Sequence, residues 1–213
     1  LIWNGFDAKA EVVKVSVERN DLGGLEAVTI LDDGDGIDFD NIKDNFDKFN
    51  DSSKKNDVEL HGSHGRGRLA FYILANKSTW FTRFKGRDAS IQITSSNIRD
   101  YDGKYLDKSK QHALLSSFDS GTCVELSNFA KELPEDLDFR RQLSIEFSWY
   151  LALHPDKAIH LDGEKIVAPN HDLHDEIFII KEVPFTIQVI RWSKKPNAEK
   201  SYNYLLNSDN AMV

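Results

Sequence analysis

The sequence contains little cysteine, no long apolar run and no excess of positive charge. Cys123 is the only cysteine among 213 residues, so no disulfide can form within the chain. Disulfides belong to oxidising compartments, so we expect a cytoplasmic protein. No run of about 18 apolar residues occurs, which argues against a helical membrane span. Lysine and arginine number 27 against 35 aspartates and glutamates, a net charge of −8. This balance argues against a general nucleic-acid coat, which needs a basic surface, and leaves room only for a local basic patch.

The composition is otherwise that of a folded globular chain. Hydrophobic residues make up 40% and charged residues 29%, enough apolar surface for a sizeable core. The length suits one large domain, or one domain and part of another. The chain opens at Leu1 in a helix-like stretch, LIWNGFDAKA, with no capping residue before it. We therefore expect the sequence to be a fragment of a longer protein.

Hydrophobic periodicity changes along the chain. Alternating apolar residues predict five strands, and apolar faces at helical spacing predict three helices after the helix end expected at 1–10. The strands are expected at 11–18, 25–31, 78–84, 89–95 and 121–127, and the helices at 39–49, 65–76 and 137–153. Residues 50–63 and 96–111 are polar and irregular, and only short strand patterns follow residue 155. This shift predicts a first domain over 1–155 and a β-rich segment over 156–213.

The strongest local motif is ILDDGDGID at 30–38, in which a strand ends at Asp32 and glycines follow at 34 and 36. One interpretation is a simple Asx-type turn. A calcium loop fails on spacing, because its first and twelfth ligands would be Leu31 and Ile42. A third interpretation places Asp32 at the floor of a base-binding pocket. There its carboxylate accepts from an exocyclic amine, and the glycines let a flat ring approach the backbone.

A second motif, HGSHGRGRLAFYILA at 61–75, places glycines directly before an apolar helix. It is neither a dinucleotide fingerprint nor a Walker A loop. Free N–H groups at a helix N-terminus favour phosphate, and Arg66 and Arg68 add positive charge. The alternative is a flexible hinge.

Two further patterns are weak when taken alone. Asn4 and Asp7 lie three apart, on one face of a helix. An amide oxygen there can join the shell of a magnesium ion that also holds phosphates; ordinary surface polarity is the alternative. In SGTCVEL at 120–126, Thr122 stands at the start of a strand, where it could bond a water at a base edge.

Together the motifs N-x-x-D-A, D-x-G-x-G, G-x-x-G-x-G and G-T, in this order, resemble the GHKL ATPase superfamily over residues 1–130. The superfamily includes gyrase B proteins, MutL proteins, large heat-shock chaperones, MORC proteins and histidine kinases. The resemblance implies an α/β (α+β) Bergerat two-layer sandwich with a mixed, mostly antiparallel sheet and helices on one face. It also implies that 156–213 begin a transducer-like β-rich domain.

By this resemblance the cofactors are ATP and Mg²⁺. Asn4 would ligate the magnesium, Asp32 would accept from the adenine amine, and Thr122 would support the adenine water network. Residues 50–64 would be part of an ATP lid, and nucleotide binding would favour a homodimer. The implied nucleotide-binding set is Asn4, Asp7, Ala8, Asp32, Gly34, Gly36, Ile37, Gly62, Gly65, Arg66, Gly67, Arg68 and Thr122.

The resemblance also implies slow, Mg-dependent ATP hydrolysis. The family's general base is a glutamate four residues before the Asn4 position, so it would precede Leu1. The gyrase, MutL, chaperone and MORC side fits better than the histidine kinases, because no phospho-accepting helix is present. The alternative function is a nucleotide-gated binding or dimerisation module without significant hydrolysis.

Other candidate sites are weaker. The pairs His61/His64 and His171/His174 lack a third metal ligand in evident register. Cys123 sits within an apolar strand, which favours a core residue over a nucleophile.

Overall fold

The computed structural model describes residues 1–42 and 67–193. Contacts within the chain divide it into two units. The first comprises Leu1–Pro134 and Lys157–Lys165, and the second comprises Glu135–Asp156 and Ile166–Val213.

An eight-stranded sheet forms the first unit, in the order β5-β4-β3-β6-β2-β1-β7-β8. All neighbouring strands pair antiparallel except β1 and β7, which are parallel. This confirms the predicted mixed, mostly antiparallel sheet. The elements are α1 Ile2–Asp7, β1 Val12–Arg19, β2 Leu25–Asp32, β3 Ala75–Phe84, β4 Arg87–Thr94, β5 Asn97–Leu106, β6 Gly121–Phe129, β7 Ala158–Leu161 and β8 Glu164–Lys165.

The middle of the sheet carries the core. Val13 and Val15 alternate with exposed lysine and serine along β1, and both valines are buried. Cys123 is fully buried on β6, where it packs with Leu31 and Leu115. The prediction that Cys123 is a core residue is therefore confirmed.

The sequence analysis missed β5, which lies inside the stretch 96–111 that we expected to be irregular. Its sequence, NIRDYDGKYL, is largely polar. The strand is at the edge of the sheet and pairs only with β4 in the described part of the chain. An edge strand needs no continuous apolar face, and charged residues there discourage pairing with another chain.

The glycine-opened helix predicted at 65–76 is wrong in type and length. A 3-10 helix spans Gly67–Ile73, and strand β3 has begun by Ala75. Phe71 is buried and packs edge-on against Trp80, with ring centroids 5.8 Å apart. This contact anchors the short helix to β3. Most of the helix predicted at 39–49 falls outside the described residues.

The second unit contains helices α2 Asp136–Glu146 and α3 Ser148–Leu153 and the hairpin β9 His171–Ile180 with β10 Val183–Trp192. The single helix expected at 137–153 is wrong, because Phe147, at ψ 11°, separates two helices. Within residues 1–42 and 67–193, no helix is both long and apolar enough to cross a membrane.

Candidate functional site

Asp32 ends a central strand and is buried, with 7% of its surface exposed. The backbone N–H of Gly34 donates to its carboxylate at 3.1 Å, and the Thr122 backbone N–H also hydrogen-bonds it. Burial raises the pKa of Asp32 to about 6, although the two hydrogen bonds oppose the rise. A buried carboxylate with a perturbed pKa is a candidate binding group.

The start of β6 approaches the end of β2 unusually closely. Thr122 is the register partner of Asp32, and Gly121 precedes it. A Cβ on Gly121 would lie 2.4 Å from the Asp32 carbonyl oxygen, and the backbone φ of Gly121 is +150°. Only glycine permits this approach. The structure therefore brings together Asp32 and Thr122, two of the residues in the implied nucleotide-binding set.

Two glycines shape the loop after Asp32, here called the 33–38 loop. A Cβ on Gly34 would lie 2.6 Å from the carbonyl oxygen of Ala8, which accepts a hydrogen bond from the Asp35 N–H at 2.7 Å. Gly36 has φ +78°, and a Cβ there would lie 2.1 Å from the Arg83 carbonyl oxygen. The loop is held between the end of α1 and the end of β3.

Helix α1 packs directly on the aspartate. A Cβ on Gly5 would meet Asp32 Cβ at 3.0 Å and Val13 Cγ2 at 2.9 Å. Asn4 is half-buried and Asp7 is buried on the same short helix. The structure thus places the N-x-x-D-A motif beside the D-x-G-x-G motif. The amide oxygen of Asn4 is a hard donor of the kind that magnesium accepts together with phosphates.

Asp33 has a structural role that the sequence analysis missed. Its Oδ1 accepts from the backbone N–H groups of Glu11 and Val12, at 2.8 and 2.9 Å. These bonds tie the start of β1 to the end of β2. The second aspartate of the DDGDG motif therefore fixes the junction that follows α1.

Thr82 was also missed. It is buried on β3, and its hydroxyl accepts from the backbone N–H of Ile37 at 2.7 Å. A threonine in an alternating strand gives no sequence signal for such a role. The contact becomes visible only when the 33–38 loop folds back across β3.

The predicted phosphate-binding residues are only partly described. Gly62, Gly65 and Arg66 lie outside the described residues. The backbone of Gly67 and Arg68 begins the 3-10 helix, and the Arg68 side chain lies outside the described part. The phosphate end of the site therefore stays a prediction.

The histidine pairs give no metal site in the described residues. His171 and His174 lie on β9, where residues three apart project to opposite faces of the hairpin. No group of three His, Cys, Asp or Glu side chains suited to a metal occurs in residues 1–42 and 67–193. His61 and His64 lie outside those ranges.

A cysteine, a histidine and a glutamate also meet on one side of β6. His112 Nε2 is 3.0 Å from Glu125 Oε1 and 3.9 Å from Cys123 Sγ. Both contacts fall on the same ring nitrogen, whereas a nucleophilic triad uses one nitrogen for each partner. Burial raises the pKa of the Cys123 thiol to about 12. The thiol is therefore not an activated nucleophile.

Comparison with known proteins supports the family that the sequence motifs resemble. The sequence profile of the histidine kinase-, DNA gyrase B-, and HSP90-like ATPases matches residues 1–122. The chain belongs to this family, and the matched residues form its ATP-binding module. The match covers α1, Asp32, the 33–38 loop and Thr122.

Individual relatives are more distant. The DNA mismatch repair protein MutL of Listeria monocytogenes serovar 1/2a is 25% identical over 146 residues, covering 68% of this chain and 23% of MutL. The MutL protein of Listeria welshimeri matches with the same identity and coverage. The chain thus spans less than a quarter of the length of these relatives.

Solved structures share the fold. The ATPase region of Saccharomyces cerevisiae topoisomerase II has a TM-score of 0.56 at 16% identity and covers 78% of this chain and 46% of that one. The ATPase and transducer domains of Balamuthia mandrillaris topoisomerase II give 0.54 at 15% identity, with the same coverage.

Proposed function

We propose that this chain binds ATP through Asp32 and its surrounding backbone, and that Mg²⁺ accompanies the nucleotide. The observation that carries the proposal is the buried Asp32 carboxylate at a strand end. The backbone N–H groups of Gly34 and Thr122 hydrogen-bond this carboxylate, and Gly121 lets the start of β6 approach the Asp32 backbone closely. An ionised carboxylate has lone pairs beyond those used by these two N–H groups, so it can also accept a hydrogen bond from the exocyclic amine of adenine.

Asn4 is the proposed magnesium ligand. It lies on α1, which packs on Asp32 through Gly5. Magnesium keeps most of its ligands as waters and phosphate oxygens, so one amide oxygen from the protein suffices. When bound, the ion would neutralise phosphate charge.

The backbone N–H groups of Gly62 and Gly65 to Arg68 are proposed to contact the phosphates. The proposal rests on their sequence pattern before an apolar segment. Residues 50–64 are proposed to act as a lid, because their sequence offers little to bury before Val58 and Leu60. Hydrogen exchange of 50–64 should slow when a triphosphate analogue binds, and unchanged strong protection would contradict the lid.

ATP hydrolysis is the proposed reaction. The general base is expected upstream of Leu1, so the 213-residue chain should bind ATP and turn it over negligibly. The slow cycle would drive closure of the domain, with homodimerisation as its output. Residues 156–213 would begin a transducer-like segment. The alternative is a module that ATP switches without hydrolysis.

Calorimetry on the 213-residue chain tests ATP binding, with magnesium and then with EDTA. We expect saturable binding that weakens when magnesium is removed. No heat of binding in a folded sample would contradict the proposal. Adding the upstream sequence separates the two alternatives, because ATP turnover by the longer chain indicates hydrolysis. Multiple turnover by residues 1–213 alone would show that the base is misplaced.

A further inference from the structure

Thr82 lies inside the sheet and connects the 33–38 loop to Gly121 at the start of β6; these two segments are called here the walls of the candidate site. It lies on β3 with 1% of its surface exposed. Its hydroxyl accepts from the Ile37 backbone N–H at 2.7 Å and donates to the Gly121 carbonyl oxygen at 3.3 Å. A hydroxyl has one proton to donate, and here it is directed to Gly121 while a lone pair receives Ile37.

Each hydrogen-bond partner of the Thr82 hydroxyl lies at a glycine, or next to one, where the backbone closely approaches another segment. Ile37 follows Gly36, whose left-handed conformation places the chain against the Arg83 carbonyl oxygen. Gly121 directly precedes Thr122, the register partner of Asp32. One hydroxyl therefore joins the 33–38 loop to the start of β6, and each of these segments also donates a backbone N–H to the Asp32 carboxylate.

We infer that Thr82 is a positioning residue for the adenine end of the nucleotide site. Its hydroxyl fixes the separation between the 33–38 loop and Gly121, and through them the backbone around Asp32. Without it the Ile37 N–H loses its partner, and the loop is free to move relative to β6. This inference rests on the proposed function, because the ligand that the two walls enclose is ATP.

Ser78 supplies a matched comparison on the same strand. It is four residues before Thr82, on the same face of β3, and is also fully buried. Its hydroxyl has no hydrogen-bond partner among the described residues. Removing it therefore perturbs the strand interior without releasing either wall.

The test compares Thr82→Val, Thr82→Ser and Ser78→Ala in the 213-residue chain. Calorimetry gives the Kd of ATP and of GTP, and amide exchange of Ile37 is followed without nucleotide. Thr82→Val removes both hydrogen bonds of the hydroxyl, and we expect ATP affinity to fall about tenfold. GTP affinity should change less, because guanine has a carbonyl oxygen at the position where adenine has the amine that donates to Asp32. The Ile37 amide should also exchange faster.

Thr82→Ser should keep ATP affinity within about threefold of the unmodified chain, because the hydroxyl remains. Ser78→Ala should leave both ATP affinity and Ile37 exchange unchanged. If Thr82→Val does not fold, Thr82→Ala compared with Thr82→Ser replaces it.

A folded Thr82→Val protein with unchanged ATP affinity and unchanged Ile37 exchange overturns the inference. An equal loss of ATP and GTP affinity also overturns it, because that result indicates general destabilisation. Absence of ATP binding by the unmodified chain contradicts the proposed function instead. In that case faster Ile37 exchange in Thr82→Val alone still supports the hydroxyl's link between the two walls, and equal exchange contradicts it.

Discussion

Asp32 and Thr122 are 90 positions apart in the sequence and directly opposite each other on β2 and β6. The Thr122 backbone N–H hydrogen-bonds the Asp32 carboxylate, which is buried there. The carboxylate is thereby held in place before any ligand arrives. A preorganised acceptor loses little conformational entropy when a donor binds.

The first prediction concerns this acceptor. Asp32→Asn keeps an oxygen for the Gly34 N–H but places an amide where the adenine amine needs an acceptor. The unpaired donor costs about 1–3 kcal/mol, so ATP affinity should fall at least about tenfold. Calorimetry on the folded variant measures it, and unchanged affinity would remove Asp32 from the site.

The second prediction concerns the pH dependence of stability without nucleotide. Burial raises the pKa of Asp32 to about 6, whereas an aspartate in the unfolded chain titrates near about 3.9. Between these values the folded state retains a proton that the unfolded chain has lost. The free energy of unfolding therefore falls as pH rises through this window, by roughly 3 kcal/mol in total.

Asp32→Asn removes that titration. The variant without nucleotide should match the unmodified protein near about pH 4 and be the more stable of the two near about pH 7. Urea denaturation across this range gives the comparison. If the free energy of unfolding of the two proteins varied with pH in the same way, burial would not be raising the pKa of Asp32.

The third prediction concerns Gly36. Gly36→Ala adds a Cβ 2.1 Å from the Arg83 carbonyl oxygen at φ +78°. Gly86 is its matched control, since its φ is +75° but nothing lies within 4 Å of a Cβ there. Gly86→Ala should cost about 1 kcal/mol of backbone strain.

Gly36→Ala should cost a further 1–3 kcal/mol or so through overpacking, and it should weaken ATP binding because the 33–38 loop must shift. Thermal unfolding and calorimetry on both variants measure these effects. Equal stability of the two variants would mean that the loop yields without cost.

The fourth prediction concerns Arg83, whose guanidinium pairs with Asp88 through two nitrogens, at 3.1 and 3.0 Å. Its remaining nitrogen donates to the carbonyl oxygens of Leu115 and Phe118. Arg83→Met would leave the Asp88 carboxylate buried without its partner. We expect a loss of about 3 kcal/mol in the free energy of unfolding.

The exposed pair of Arg87 with Asp40 is the control. Arg87→Met should change stability far less, because water screens an exposed pair. Chemical denaturation of both variants decides the matter. A similar small loss in each would show that the Arg83 network adds nothing beyond an exposed ion pair.

The strands at the centre of the sheet could be predicted from the sequence, and so could the strand end at Asp32 with the glycines that follow it. Alternating valines specified β1, and the D-x-G-x-G spacing identified Asp32, Gly34 and Gly36, because these signals are local. It failed at β5, whose edge position removes the need for an apolar pattern.

Which distant residues support Asp32 could be seen only in the folded chain. Thr82, Gly121 and Asp33 act through backbone groups of segments far away in the chain. Their side-chain types are common in strands and turns and carry no periodic signal. A hydrogen bond to a remote backbone N–H depends on how the chain folds back, and that is settled by packing and strand register rather than by local sequence.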